Sequence, residues 1–183
     1  MTQAAALAQY GSTGVSQGFK NRLINGNMAI NQRAAASTTI SGGTSSYTLD
    51  RWIAYGNGSG VFTVQQSTAA PAGFNYSCLL TVTTADSSVA TTDYYLLAQF
   101  IEGFNFADCG FGTANARTVT VSFWVRASIT GTYGGVLRNA GGDYSYPFQY
   151  TISSANTWEQ KSVTITGATS GTWNTKIGRA SCR

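Results

Sequence analysis

Thr118-Val119-Thr120-Val121-Ser122-Phe123-Trp124-Val125-Arg126 alternates apolar and polar side chains with a period of two. In an extended chain successive side chains point to opposite faces, so Val119, Val121, Phe123 and Val125 share one face and Thr118, Thr120, Ser122 and Trp124 share the other. The stretch therefore reads as a half-buried strand. Downstream, residues 133–139 and 144–153 flank Ala140-Gly141-Gly142-Asp143, a turn sequence that predicts a hairpin. Residues 158–166 read as the last full strand, with Val163 and Ile165 inward, and Gly171-Thr172-Trp173 reads as the start of another. Upstream, residues 94–101 are apolar on both faces, as in a central strand covered on both sides. Residues 76–84 form a further strand. Residues 47–55 run into Gly56-Asn57-Gly58 and then into residues 60–66, which predicts a second hairpin with Phe62 and Val64 on one face and Thr63 and Gln65 on the other. About eight strands with turn signals at roughly ten-residue intervals predict an all-β chain, a jelly-roll-like antiparallel β-sandwich.

Composition agrees. The chain has 183 residues, enough for one domain with a real core, of which 43% are apolar, 13% aromatic and only 10% charged. Abundant Thr, Tyr, Phe and Gly favour pleated strands and tight turns. No apolar run approaches the roughly 20 residues of a membrane-spanning helix. Residues 1–19 read as an N-terminal arm in which Gly11, Gly14 and Gly18 prevent a long helix. Residues 20–175 read as the sandwich, incomplete at its C-terminal side. Residues 176–183 depart abruptly from the strand pattern, and their Ile-Gly-Arg-Ala-Ser-Cys-Arg ending matches one frame of a common sequencing-adapter read-through, so a non-native, adapter-derived tail is expected. Without Lys176, Arg179 and Arg183, the eleven basic residues fall to eight against seven acids. The formal charge then drops from +4 to +1, and the electrostatic case for a nucleic-acid partner disappears.

The chain contains no His, which excludes a Ser-His or Cys-His nucleophile. Its seven acids, Asp50, Asp86, Asp93, Glu102, Asp108, Asp143 and Glu159, show no local spacing that marks a glycosidase pair. Glu102 follows a wholly apolar strand and calls for a cationic partner, Arg51 or Arg126. The chain is therefore expected not to be an enzyme. Cys78 and Cys109 lack metal-ligand spacing; Cys78 in its apolar strand reads as a small buried thiol. Trp52 and Trp124, within strands, read as core. Sugar recognition requires an aromatic ring against a pyranose face and planar polar side chains at its hydroxyls. The tip of the residue 133–153 hairpin offers this set in Arg138, Asn139, Asp143, Tyr144 and Tyr146, on a loop carried by a rigid scaffold. The alternative is that the two tyrosines cap the core and the charges are merely solvated.

Residues 16–33 (SQGFKNRLINGNMAINQR), the Ser-Tyr-Thr-Leu-Asp-Arg-Trp at 46–52, residues 101–125 and the NTWEQKSVTITGATSGTW run at 156–173 together resemble tailed-phage virion structural proteins of the tail-fibre and head-fibre type. The Asn-Thr-Trp entry at 156–158 is similar to the tryptophan that opens a late strand in carbohydrate-binding-module jelly rolls. The resemblance implies a virion location after synthesis in the bacterial cytoplasm, other virion proteins as partners, a host-surface glycan as ligand, and a homo-oligomer, a trimer by the family's habit. It implies no cofactor beyond a structural Ca²⁺, for which no residues stand out. The alternative within the same family is a purely architectural head or tail decoration protein without glycan binding.

Overall fold

The computed structural model describes residues 20–33 and 36–175, together with the backbone of residues 179–182. The arm expected at residues 1–19 lies outside the described residues, as do residues 176–178 and 183 of the expected tail. The chain is all-β and its strands pair antiparallel throughout: β1 (Thr38–Ile40), β2 (Thr44–Tyr47), β3 (Trp52–Asn57), β4 (Val61–Ser67), β5 (Ser77–Thr84), β6 (Tyr94–Glu102), β7 (Val119–Val125), β8 (Gly131–Arg138), β9 (Ser145–Ile152), β10 (Glu159–Ile165) and β11 (Arg179–Cys182). One short helix, α1 (Gly103–Phe106), and a 3-10 turn at Ala107–Cys109 follow β6.

One layer is a six-stranded sheet in the order β2-β3-β6-β11-β8-β9. The other layer is split into β1-β4-β5 and β10-β7. The register explains which side chains face inward. Trp52 and Ala54 of β3 lie on the same face as Leu97, Gln99 and Ile101 of β6, because Trp52 pairs with Gln99 and Ala54 with Leu97. That face meets β1 and β4 in a cluster of Ile40, Leu49, Ala54, Phe62 and Val64. It meets β7 and β10 in a second cluster of Ile101, Phe106, Cys109, Phe111, Leu137 and Ile165. Ile40, Leu49 and Val64 are fully buried, and each such side chain contributes about 1.5–3 kcal/mol.

Most expected strands are present. In β7, Val119, Val121, Phe123 and Val125 are half-buried while Thr120, Ser122 and Trp124 are exposed. The hairpin β8–β9 forms in continuous register from Gly131↔Ile152 to Arg138↔Ser145. Phe62 and Val64 are buried, and β6 is central, with Ala98, Gln99 and Ile101 buried.

Three expectations are corrected. Residues 47–66 are not a hairpin: β3 belongs to the six-stranded sheet and β4 to the β1-β4-β5 sheet, so the chain crosses between layers at Gly58. Gly58 has φ +127°, and a Cβ there would stand 2.3 Å from the Tyr95 hydroxyl, so only glycine fits the crossing. The hairpin on that side is instead β2–β3, closed by a turn in which Arg51 takes φ +74°. Trp124 is 39% exposed, because the alternation that buries Phe123 turns its neighbour outward. Residues 171–173 start no strand: Trp173 packs into the second cluster, 4.9 Å from the Phe111 ring and 6.2 Å from Phe106. β11 lies beyond it, inserted between β6 and β8 and paired with both.

Candidate functional site

The lead-in at residues 21–33 is a clasp. The Asn25 side chain donates to the carbonyls of Ile30 (2.8 Å) and Asp50 (2.9 Å) and accepts from the Ile30 amide (2.9 Å). The Asn25 carbonyl accepts from the Trp52 indole at 3.0 Å. Buried Gln99 binds the Ile24 backbone twice, accepting at its carbonyl oxygen and donating from its amide, each at 2.8 Å. Arg22 grips Asp108 with two nitrogens at 2.7 and 3.0 Å and lies over the Phe106 ring. This fork holds the Asp108 carboxyl down at about 2. Of the two partners the sequence left open for Glu102, the structure supplies Arg51, through a direct hydrogen bond, and both side chains are partly exposed rather than buried. Burial works against the Glu102 charge, yet backbone hydrogen bonding and Arg51 hold its carboxyl below the usual value.

The β8–β9 tip carries the five sequence-predicted residues, and the structure divides them. Asn139 is 1% exposed and its amide is saturated. Its oxygen accepts from the amides of Gly142 (2.8 Å) and Tyr144 (3.2 Å), while its nitrogen donates to Asp143 Oδ1 (2.7 Å) and to the Thr172 carbonyl (3.0 Å). Four bonds exhaust the group, so Asn139 organises the turn and offers nothing to a ligand. The Arg138 guanidinium lies across Gly142, where a Cβ would come within 2.4 Å of it. The Tyr144 ring rests on Gly171, which adopts φ +90° to receive it. What faces solvent is the rim of Tyr144 (36% exposed), Tyr146 (40% exposed) and the exposed Asp143. Tyr146 pairs with Leu137 and so sits on the inner face of β9, at its open end.

A second concavity lies where sequence reading placed no site. Ile30, Gln32, Arg33, Tyr47, Asp50 and Arg51 line an open cleft of about 500 Å³ between the lead-in and the β2–β3 turn. Asp50 accepts from the Gln32 amide at 2.6 Å, and the Arg33 guanidinium lies 5.5 Å over the Tyr47 ring. The signal was present in the Asn-Gln-Arg and Tyr-Thr-Leu-Asp-Arg phrases, but about 15 residues separate them and only the fold joins them.

Other constellations are accounted for internally. Asp86 and Asp93 both approach Gly58. Asp86 accepts from Tyr95 (2.7 Å) and Ser59 (2.8 Å), which lowers its carboxyl, and Asp93 accepts from the Ala90 amide (2.8 Å). Among the described residues no three His, Cys, Asp or Glu side chains gather as a metal site. Cys78 and Cys109 are free thiols, and burial pushes Cys78 up to about 12. Among the described residues no helix is long and apolar enough to cross a membrane. Set against protein-family models, curated proteins and solved structures, the chain matches none of them.

Proposed function

We propose that this chain is a structural subunit of a tailed-phage virion appendage, of jelly-roll type, and that its sandwich binds host-surface carbohydrate without catalysing a reaction. The sequence resemblance supplies the virion setting, and with it virion neighbours, assembly as a homo-oligomer (a trimer) and synthesis in the bacterial cytoplasm. The observation that carries the binding reading is the β8–β9 tip: Asn139 holds the turn rigid while the rims of Tyr144 and Tyr146 and the Asp143 carboxylate face solvent. A preorganised aromatic edge beside a carboxylate suits a pyranose face and its hydroxyls, because little ordering entropy is lost on contact. A glycan array followed by a host-cell binding assay tests this. Binding that weakens in Tyr146→Ala supports the tip; an array without signal, from a protein that still incorporates into particles, sinks it.

The architectural reading also has its own observation. On β5, Leu79, Leu80 and Val82 are 40%, 42% and 70% exposed, and the strand carries no charge. Apolar surface of this kind suits burial against a neighbouring subunit. Cross-linking at Thr81, recovered from assembled particles, distinguishes a packed β5 from a free one.

A further inference from the structure

We propose that the cleft between the lead-in and the β2–β3 turn is a binding subsite for a neutral pyranose, with Tyr47 as the stacking ring and Asp50, Arg33 and Gln32 as hydroxyl partners. It rests on the carbohydrate-binding reading above but places a contact away from the β8–β9 tip. The cleft volume, about 500 Å³, falls within the roughly 300–1,000 Å³ of small-molecule pockets and admits one or two sugar rings. Its lining combines an aromatic face with three planar polar groups: an amide, a guanidinium and a carboxylate.

Each group has capacity left for a ligand. The Tyr47 ring is 41% exposed, and the Arg33 guanidinium over it belongs to a side chain that is 61% exposed, so Arg33 can swing from the ring to a ligand hydroxyl. Asp50 uses one oxygen for the Gln32 amide, and its other oxygen stands 3.8 Å from Arg33, beyond hydrogen-bond length. That oxygen can accept from a sugar hydroxyl. Arg51, also on the lining, takes a left-handed conformation that a non-glycine residue adopts only at a cost. The charges of Arg33 and Arg51 are offset by Asp50 and by Glu102, paired to Arg51, so the site favours an uncharged ring over an acidic one.

The test is an NMR titration of the chain with methyl glycosides of the common hexoses and N-acetylhexosamines, and with their disaccharides. The expected result is selective shifts of the Tyr47 ring and the Gln32 side-chain amide. Affinity should fall about tenfold or more in Tyr47→Ala and survive in Tyr47→Phe. Near-UV circular dichroism of each variant checks that the fold is kept. Shifts confined to Tyr144 and Tyr146 would overturn the cleft while leaving the tip reading intact. An absence of shifts with every sugar would overturn the cleft as well, and the glycan array then judges the tip separately.

Discussion

At the scale of single residues, the side chains with the most consequence are buried amides. Asn139 closes its turn with four side-chain hydrogen bonds; without them the Tyr144 amide loses its acceptor, while the Gly142 amide keeps the Asn139 carbonyl at 3.2 Å. Asn139→Ala is expected to cost about 1–3 kcal/mol, roughly the figure for one group left unpaired, read as a lower urea midpoint. A change near zero would mean that the loop re-forms its bonds elsewhere. Asp108 gives a pH-dependent counterpart. Its folded value of about 2 lies below the ordinary carboxylate value near 3.9, so its pairing with Arg22 stabilises fully above about pH 4 and is lost as pH falls toward 2. Asp108 is half exposed, so solvent screening limits this to at most about 1 kcal/mol. Asp108→Asn should lower stability at neutral pH by that small amount and flatten the acid limb of the stability curve between pH 4 and 2. The Asn139 side chain was legible in sequence as a polar group at a hairpin tip. Its burial was not, because Thr172, which receives one of its bonds, lies 33 residues away.

Among the elements, β5 departs most from its sequence. Tyr-Ser-Cys-Leu-Leu-Thr-Val reads as an apolar strand with a buried thiol at Cys78. Leu80 pairs with Val64 and Val82 with Phe62, which turns them toward the six-stranded sheet. They stay exposed because, among the described residues, β5 is the edge of its sheet and has a neighbour only in β4. An uncharged apolar edge is an invitation to pair with another chain. Val82→Lys is expected to reduce concentration-dependent association in light scattering while changing stability by no more than about 0.5 kcal/mol. Unchanged association would show that this edge is not where chains meet. β7 is the opposite case: its period-two pattern was readable because a strand with one buried face writes its packing directly into alternation.

For the molecule as a whole, the split second layer gives the core two clusters, and the lead-in joins them. Leu23 packs on one cluster and Met28 on the other, with the Ile24–Gln99 pair between. The phrases that suggest a virion protein are thus largely the phrases that lock this clasp: Arg22 to Asp108, Asn25 to Asp50 and Trp52, Arg51 to Glu102. Deleting residues 20–33 is expected to uncouple the clusters, so that urea unfolding followed by tryptophan fluorescence and by backbone circular dichroism gives separate midpoints. In the intact chain the two probes should coincide. Coincidence after the deletion would mean that the sheets couple the clusters without the lead-in.

The sequence alone determined the all-β class, most of the strands, the β8–β9 hairpin and the need of Glu102 for a cation, Arg51 or Arg126. Each is local or nearly so: alternation follows from the two-residue period of a strand, a glycine-rich tetrapeptide favours a turn, and an acid beside an apolar strand calls for a cation. The tertiary structure decided which strands share a sheet, why the chain crosses layers at Gly58, why Asn139 faces inward, and that Arg33, Tyr47 and Asp50 border one cleft. None of these was local, because each depends on backbone or side chains brought close from distant positions, and one-dimensional periodicity carries no record of which distant partner completes a hydrogen bond or fills a space.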